Sequence, residues 1–336
     1  MKALTRLKPT SILITICVFY IAGYVAHAFY LHKTVYGDGI YYYAWLTLNP
    51  SKYSVGPALF WAPAYLLTHN QFIVGFTSVL ASLFGLILLW RLLQRYFSQT
   101  VSIMAVTAVA LATNFLFYGS LDPVNSHALT FFAAVVYLSL LLSRHKQWLA
   151  IGAALGFLGL MRTQDLLYGI LLIPVLNKKN IGRIFLGFLL AFTPQLVAWQ
   201  LTSGKFWQSQ YFMREGFNFF TPHILGVLFN PQSGLFLWTP MTLIGALGLI
   251  AAKKYWFFAV FFAQLLVISS WSTWWQGASY SGRMFVSSLP VLAFGIAALF
   301  SRLSKFKFTQ AYYLICIILP LSIINVLLIT FFLLTR

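Results

Sequence analysis

SRHKQWLAIGAALGFLGLMRTQDLLYGILLIPVLNKKNIGR, residues 143–183, holds two apolar arms, 148–161 and 166–176, joined by the polar tetrad Arg162-Thr163-Gln164-Asp165 and bounded at both ends by Lys and Arg. Short cytoplasmic loops of membrane proteins accumulate basic residues, so both ends belong on the inner side and the tetrad faces outward. Each arm is shorter than the roughly 17–25 residues of a transmembrane α-helix. The stretch predicts a helical pair whose apex stops within the membrane thickness. Irregular backbone at that depth is tolerated only against protein or a wet cavity.

Working outward, further apolar runs lie near 10–31, 71–93, 101–118, 127–142, 184–201, 236–252, 255–270, 284–300 and 310–334. Together with the two arms they predict an all-α, polytopic membrane bundle of about eleven spans. Composition agrees: of 336 residues, 60% are hydrophobic and 8% charged, and mean hydropathy is +0.83. Soluble domains carry about a quarter charged residues, and disorder needs low hydrophobicity; both classes are excluded. The net charge of +18 comes from 22 Lys and Arg against 4 Asp and Glu. A nucleic-acid binder would cluster such charge on one face, whereas here it comes in twos and threes between apolar runs, and no nucleic-acid partner is expected.

With the N-terminus inside, the inner loops receive Lys2, Arg6, Lys8, Arg91, Arg95, Arg144, Lys146, Lys178, Lys179, Arg183, Lys253, Lys254, Arg302, Lys305 and Lys307. Lys33, Lys52, Arg162, Lys205, Arg214, Arg283 and Arg336 fall outside. All four acids, Asp38, Asp122, Asp165 and Glu215, also fall outside, which makes the outer face the place to look for chemistry. Ala26-His27-Ala28 fits a signal-peptide cleavage pattern, but the apolar stretch exceeds the roughly 7–15 residues of such a segment, so an uncleaved first helix is expected. Cys17 and Cys316 lie in predicted spans and indicate neither a disulfide nor a Cys-based metal site. One domain, 1–336, is expected, with outer loops near 32–70, 119–127, 202–235 and 271–283.

The first outer loop sets Asp38 between two glycines, a turn sequence, ahead of Tyr41, Tyr42, Tyr43 and Trp45. Those aromatics also suit a membrane interface. VGPALFWAPAYLL, broken by Pro57 and Pro63, suits a helix lying in the interface. The second loop pairs Asp122 with His127; two ligands do not make a metal site, and Asp122-Pro123 is also an ordinary turn opening with Asn125-Ser126 to cap the next helix. In the last loop, Trp271, Trp274 and Trp275 form either an interfacial belt or flat faces for sugar rings. Arg162 and Arg283 are costly near hydrocarbon and so are functional candidates, their planar forks suiting phosphate; snorkelling to lipid headgroups is the other reading of Arg283.

The stretches GDGIYYY (37–43), DPVNSHALTFF (122–132), GFLGLMRTQ (156–164), FNPQSGLFLWTP (229–240) and WWQGASYSGRMFVSSLP (274–290) together resemble glycosyltransferase superfamily C, nearest to bacterial members related to dolichyl-phosphate-mannose protein mannosyltransferases and aminoarabinose transferases. The resemblance implies an integral protein of the bacterial cytoplasmic membrane, with its active site on the outer face. It implies transfer of a sugar from a polyprenyl-phosphate carrier to a glycan, lipid or protein acceptor, by a single inverting displacement. Asp38 would then be the general base. Asp122, His127, Arg162, Arg283, Tyr42 and Trp275 would bind substrate, with Arg283 at the carrier phosphate. The cofactor stays open, a divalent metal at Asp122 and His127 being the one candidate.

Two departures stand out. Gly39 follows Asp38 where many relatives have Glu, and the chain stops at Arg336 where many carry an outer soluble domain, a departure that puts recognition of a protein acceptor in doubt. A transporter or lipid-carrier flippase is the main rival, since the short pair at 148–176 looks like a broken transporter helix. A scaffold subunit is a third reading, under which all four carboxylates would tolerate substitution.

Overall fold

A computed structural model describes residues 8–210, 213, 215–304 and 310–335; Lys2, Arg6, Arg214, Lys305, Lys307 and Arg336, assigned to loops above, lie outside the described residues. The described residues form helices and no strands, apart from one isolated bridge between Phe217 and Trp271. In chain order the main helices are α1 (Pro9–Leu31), α2 (Gly39–Ala44), α3 (Gly56–Thr68), α4 (Gln71–Leu93), α5 (Gln99–Leu111), α6 (Ser126–Leu141), α7 (Trp148–Met161), α8 (Ile181–Ser203), α9 (Pro240–Ala251), α10 (Tyr255–Ser270), α11 (Leu289–Ser304) and α12 (Leu319–Thr335).

Local chemistry sets several ends. Pro9 opens α1, the Asn70 side chain accepts from Phe72 N at the start of α4, and Asn125 does the same for His127 N at the start of α6. Gly204, in the left-handed region, closes α8.

The structure bears out the polytopic helical bundle. Five helical stretches are long and apolar enough to cross a bilayer: Pro9–Leu31, Gln71–Leu93, Ile181–Ser203, Arg283–Ser304 and Leu314–Thr335. The remaining apolar helices have 10–17 residues, so length and composition alone support five crossings.

The pair at 148–176 is present, but its second arm is a 3₁₀ helix, Thr163–Val175, of 13 residues. Runs of that length are uncommon. At about 2.0 Å per residue it extends ~26 Å, against ~20 Å for an α-helix of the same length; a hydrocarbon core is about 30 Å thick. The tighter winding lets a short segment reach nearly across. Arg162 forms the apex with extended backbone (φ −159°, ψ 116°).

The expected continuous span at 101–118 is broken. α5 stops at Leu111 and a π-helical turn follows at Phe117–Leu121. Carbonyls freed at such a break need partners in a water-poor interior. The Tyr20 hydroxyl donates to Ala110 O at 2.8 Å, and Asn325 Nδ2 of α12 donates to Leu111 O at 2.8 Å and Thr113 O at 2.9 Å. The broken segment in turn grips the last outer loop: Asn114 Nδ2 donates to Gly282 O (3.0 Å) and the Tyr118 hydroxyl to Tyr280 O (2.9 Å). Those two contacts fix the backbone leading into Arg283.

Candidate active site

Gly37 takes a left-handed φ of 52°, and Gly39 N donates to Tyr36 O at 2.9 Å, so the turn expected around Asp38 forms. Asp38 ends up at the start of α2. Gly39 lies against the second outer loop so closely that a Cβ there would sit 2.3 Å from Val124 O. The departure from Asp-Glu therefore has a steric reason, because only a residue without a side chain lets the first two outer loops touch at this point. The tyrosines after Asp38 build a wall: Tyr53 stacks on Tyr41 (ring centroids 5.2 Å apart) and stands edge-on to Tyr42 (4.8 Å), while Tyr42 and the Ser126 hydroxyl are 2.9 Å apart.

Asp38 Oδ2 accepts a salt bridge from Arg283 Nη1 at 2.7 Å. Both groups are only partly exposed, Arg283 to 17% and Asp38 to 30%. They line a cavity of about 600 Å³ together with Tyr42, His127, Arg162 and Trp275. Six of the seven residues singled out from sequence thus meet around one space. Arg162 Nη1 donates at 3.4 Å to Met284 O and has no ion-pair partner among the described residues. Both guanidinium groups act electrostatically on Tyr42 and on His127. His127 packs on Tyr118 (4.8 Å), and its Nδ1 is buried without a hydrogen-bond partner.

Asp122 is the exception. It does not line the cavity; Tyr36 and Asn125 hydrogen-bond its carboxyl. Removal from water pushes this carboxyl up to about 7, against the pull of Arg283, with the negative charge of Asp38 adding to the rise. Among the described residues no three His, Cys, Asp or Glu side chains come together to hold a metal ion, and Asp122 and His127 by themselves are two ligands.

Sequence reasoning missed part of the lining. Lys52 and Glu215 pair across the cavity wall. Gln195, 2% exposed in α8, accepts from Val55 N at 3.1 Å and anchors the start of α3. The third outer loop is held to the last one by the Phe217–Trp271 bridge and by three backbone bonds, Ser272 N to Gly216 O (2.8 Å), Asn218 N to Ser270 O (2.6 Å) and His223 N to Ser269 O (2.7 Å). The available signal was an amide or charge set inside, or just beside, a strongly apolar run.

Residues 52–202 match the family model described as dolichyl-phosphate-mannose-protein mannosyltransferase. This match supports a relationship to glycosyltransferase superfamily C. The matched stretch contains Asp122, His127 and Arg162, with Asp38, Tyr42, Trp275 and Arg283 outside it. The match covers less than half of the chain and supports a membrane glycosyltransferase at family level, and the apolar helices agree with an integral membrane protein. Comparison with curated proteins and with solved structures gave no match.

Proposed function

We propose that the chain transfers a sugar from a polyprenyl-phosphate carrier to an acceptor hydroxyl on the outer face of a bacterial cytoplasmic membrane, with inversion at the anomeric carbon. The observation that carries this reading is the Asp38–Arg283 salt bridge at 2.7 Å in a cavity that also holds Arg162. A carboxylate and two guanidinium groups around one space are the groups such a displacement requires. The acceptor oxygen forms a bond to the anomeric carbon as the bond from that carbon to the phosphate oxygen breaks. Asp38 takes the acceptor's proton, and the electron pair leaves on the polyprenyl phosphate. Arg162 and Arg283 stabilise the negative charge there through fork-shaped hydrogen bonding.

Arg283 is engaged by Asp38. An arriving phosphate competes for the guanidinium and releases the carboxylate to act as base, so donor binding switches the base on. The buried Nδ1 of His127 and the exposed face of Trp275 are available to a sugar hydroxyl and a sugar ring. Membrane lipids surround the bundle, and the acceptor class remains a glycan, a lipid or a protein.

The test compares cell-envelope glycans by mass spectrometry in a deletion strain complemented with wild type or with Asp38→Asn at matched membrane levels. Loss of a general base lowers transfer by roughly 10²–10⁴-fold, so one sugar-sized mass returns with wild type and stays absent with the variant. Equal restoration by both overturns the assignment of Asp38 and favours a transporter.

A further inference from the structure

Asp165 is fully buried, lies outside the cavity, and takes no part in the reaction proposed above. It lies in the first turn of the 3₁₀ helix that follows Arg162, its N–H donating to Arg162 O at 2.9 Å. Ser287 lies next to the end of a second, shorter 3₁₀ helix, Arg283–Ser288, that starts with the other arginine. The two segments meet through these two residues: the Ser287 hydroxyl donates to Asp165 Oδ1 at 2.6 Å. Gln264 of α10 completes the junction, its Nε2 donating to the same Oδ1 at 3.2 Å while its Oε1 accepts from Ser288 Oγ at 2.5 Å. The Tyr168 hydroxyl, one 3₁₀ turn after Asp165, donates to Ser287 O at 2.5 Å.

One carboxylate oxygen thus joins the segment behind Arg162 to the segment behind Arg283. The other, Oδ2, is buried with no partner. A buried ionisable group left half-satisfied is costly, and fold stability alone gives no reason to keep it. We infer that Asp165 is a positioning residue: through Ser287 and Gln264 it sets the spacing of the Arg162 and Arg283 guanidinium groups so that both engage one phosphate. The inference rests on the reading of those arginines as the phosphate site.

The test uses purified full-length protein in nanodiscs, titrated with a polyprenyl monophosphate and, separately, with the corresponding uncharged polyprenol. Monodisperse elution and a thermal unfolding trace qualify each variant. Asp165→Ala weakens binding of the phosphate about tenfold, equivalent to about 1.4 kcal/mol, and leaves polyprenol binding within twofold. Asp165→Asn, which keeps an Oδ1 acceptor, restores the phosphate affinity. Ser287→Ala, on the partner segment, gives the same selective loss, and the double variant loses no more than either single one, as expected for two halves of one contact.

Three outcomes overturn the inference: unchanged phosphate binding in Asp165→Ala, a parallel loss for phosphate and polyprenol that signals general loosening, or an Asn variant as defective as Ala. Wild type that binds the phosphate no better than the polyprenol overturns instead the phosphate site itself, and the inference falls with it.

Discussion

Replacing the Arg283 guanidinium by a shorter, uncharged polar group, as in Arg283→Gln, tests the centre of the site. At 2.7 Å two unit charges attract by about 6 kcal/mol for an effective dielectric near 20. Desolvation offsets most of this. With exposures of 17% and 30% the pair stands between a surface bridge, worth about 0–1 kcal/mol, and a buried one, whose disruption costs about 3–5 kcal/mol; a net stability loss of about 1–3 kcal/mol follows. The effect on transfer is larger. Removing one preorganised donor from a developing oxyanion costs about 10²–10³ in rate, or about 2.7–4 kcal/mol. Arg283→Lys keeps the charge but loses the planar fork that suits bidentate contact with carboxylate or phosphate, so it falls between wild type and Gln. The assay is transfer from a synthetic polyprenyl-phosphate sugar to endogenous acceptor in membranes, quantified by mass spectrometry at matched protein level. Transfer by Arg283→Gln within threefold of wild type refutes the role given to this residue.

Two further expectations follow from the loops around the site. Gly39→Ala places a methyl group 2.3 Å from Val124 O, and because a backbone carbonyl cannot swing aside, the unfolding midpoint in detergent drops by the equivalent of about 1–3 kcal/mol and transfer falls with it; a variant as stable as wild type shows that the two loops do not meet as described. The Asp122 carboxyl, raised from 3.8 to about 7, makes the folded chain hold a proton to higher pH than the unfolded chain does, so its stabilising effect is fully present below about pH 4 and is lost as pH rises through about 7. Thermal midpoints of wild type fall across that window and those of Asp122→Asn stay flatter; identical pH profiles for the two proteins count against a raised carboxyl.

Much of the helical framework was readable because apolar runs bounded by Lys and Arg leave few alternatives in a chain with so few charges. What escaped were departures from the α-helix. Asp165, Tyr168 and Leu171 are all buried and repeat at intervals of three, which suits a helix of three residues per turn and drifts around one of 3.6. The break after Leu111 was hidden because its freed carbonyls are satisfied by Tyr20 and Asn325, residues from distant helices. In the site, Asp38, Arg162 and Arg283 stood out as charges in apolar surroundings. Their meeting did not, since nothing local records which loop packs on which. Lys52 and Glu215 carried the same kind of signal singly, and only the fold makes them a pair.

The contact of Gly39 with Val124 O also bears on how this protein can be altered by exchange of segments. A first outer loop taken from a protein with a side chain at that position meets the Val124 carbonyl and is pushed away, carrying Asp38 off Arg283. The same loop transplanted together with a second loop of matching shape keeps the approach. The stretches around 37–43 and 122–132, distant along the chain, therefore behave as one exchangeable unit, and chimeras that divide them lose the site while every helix still folds.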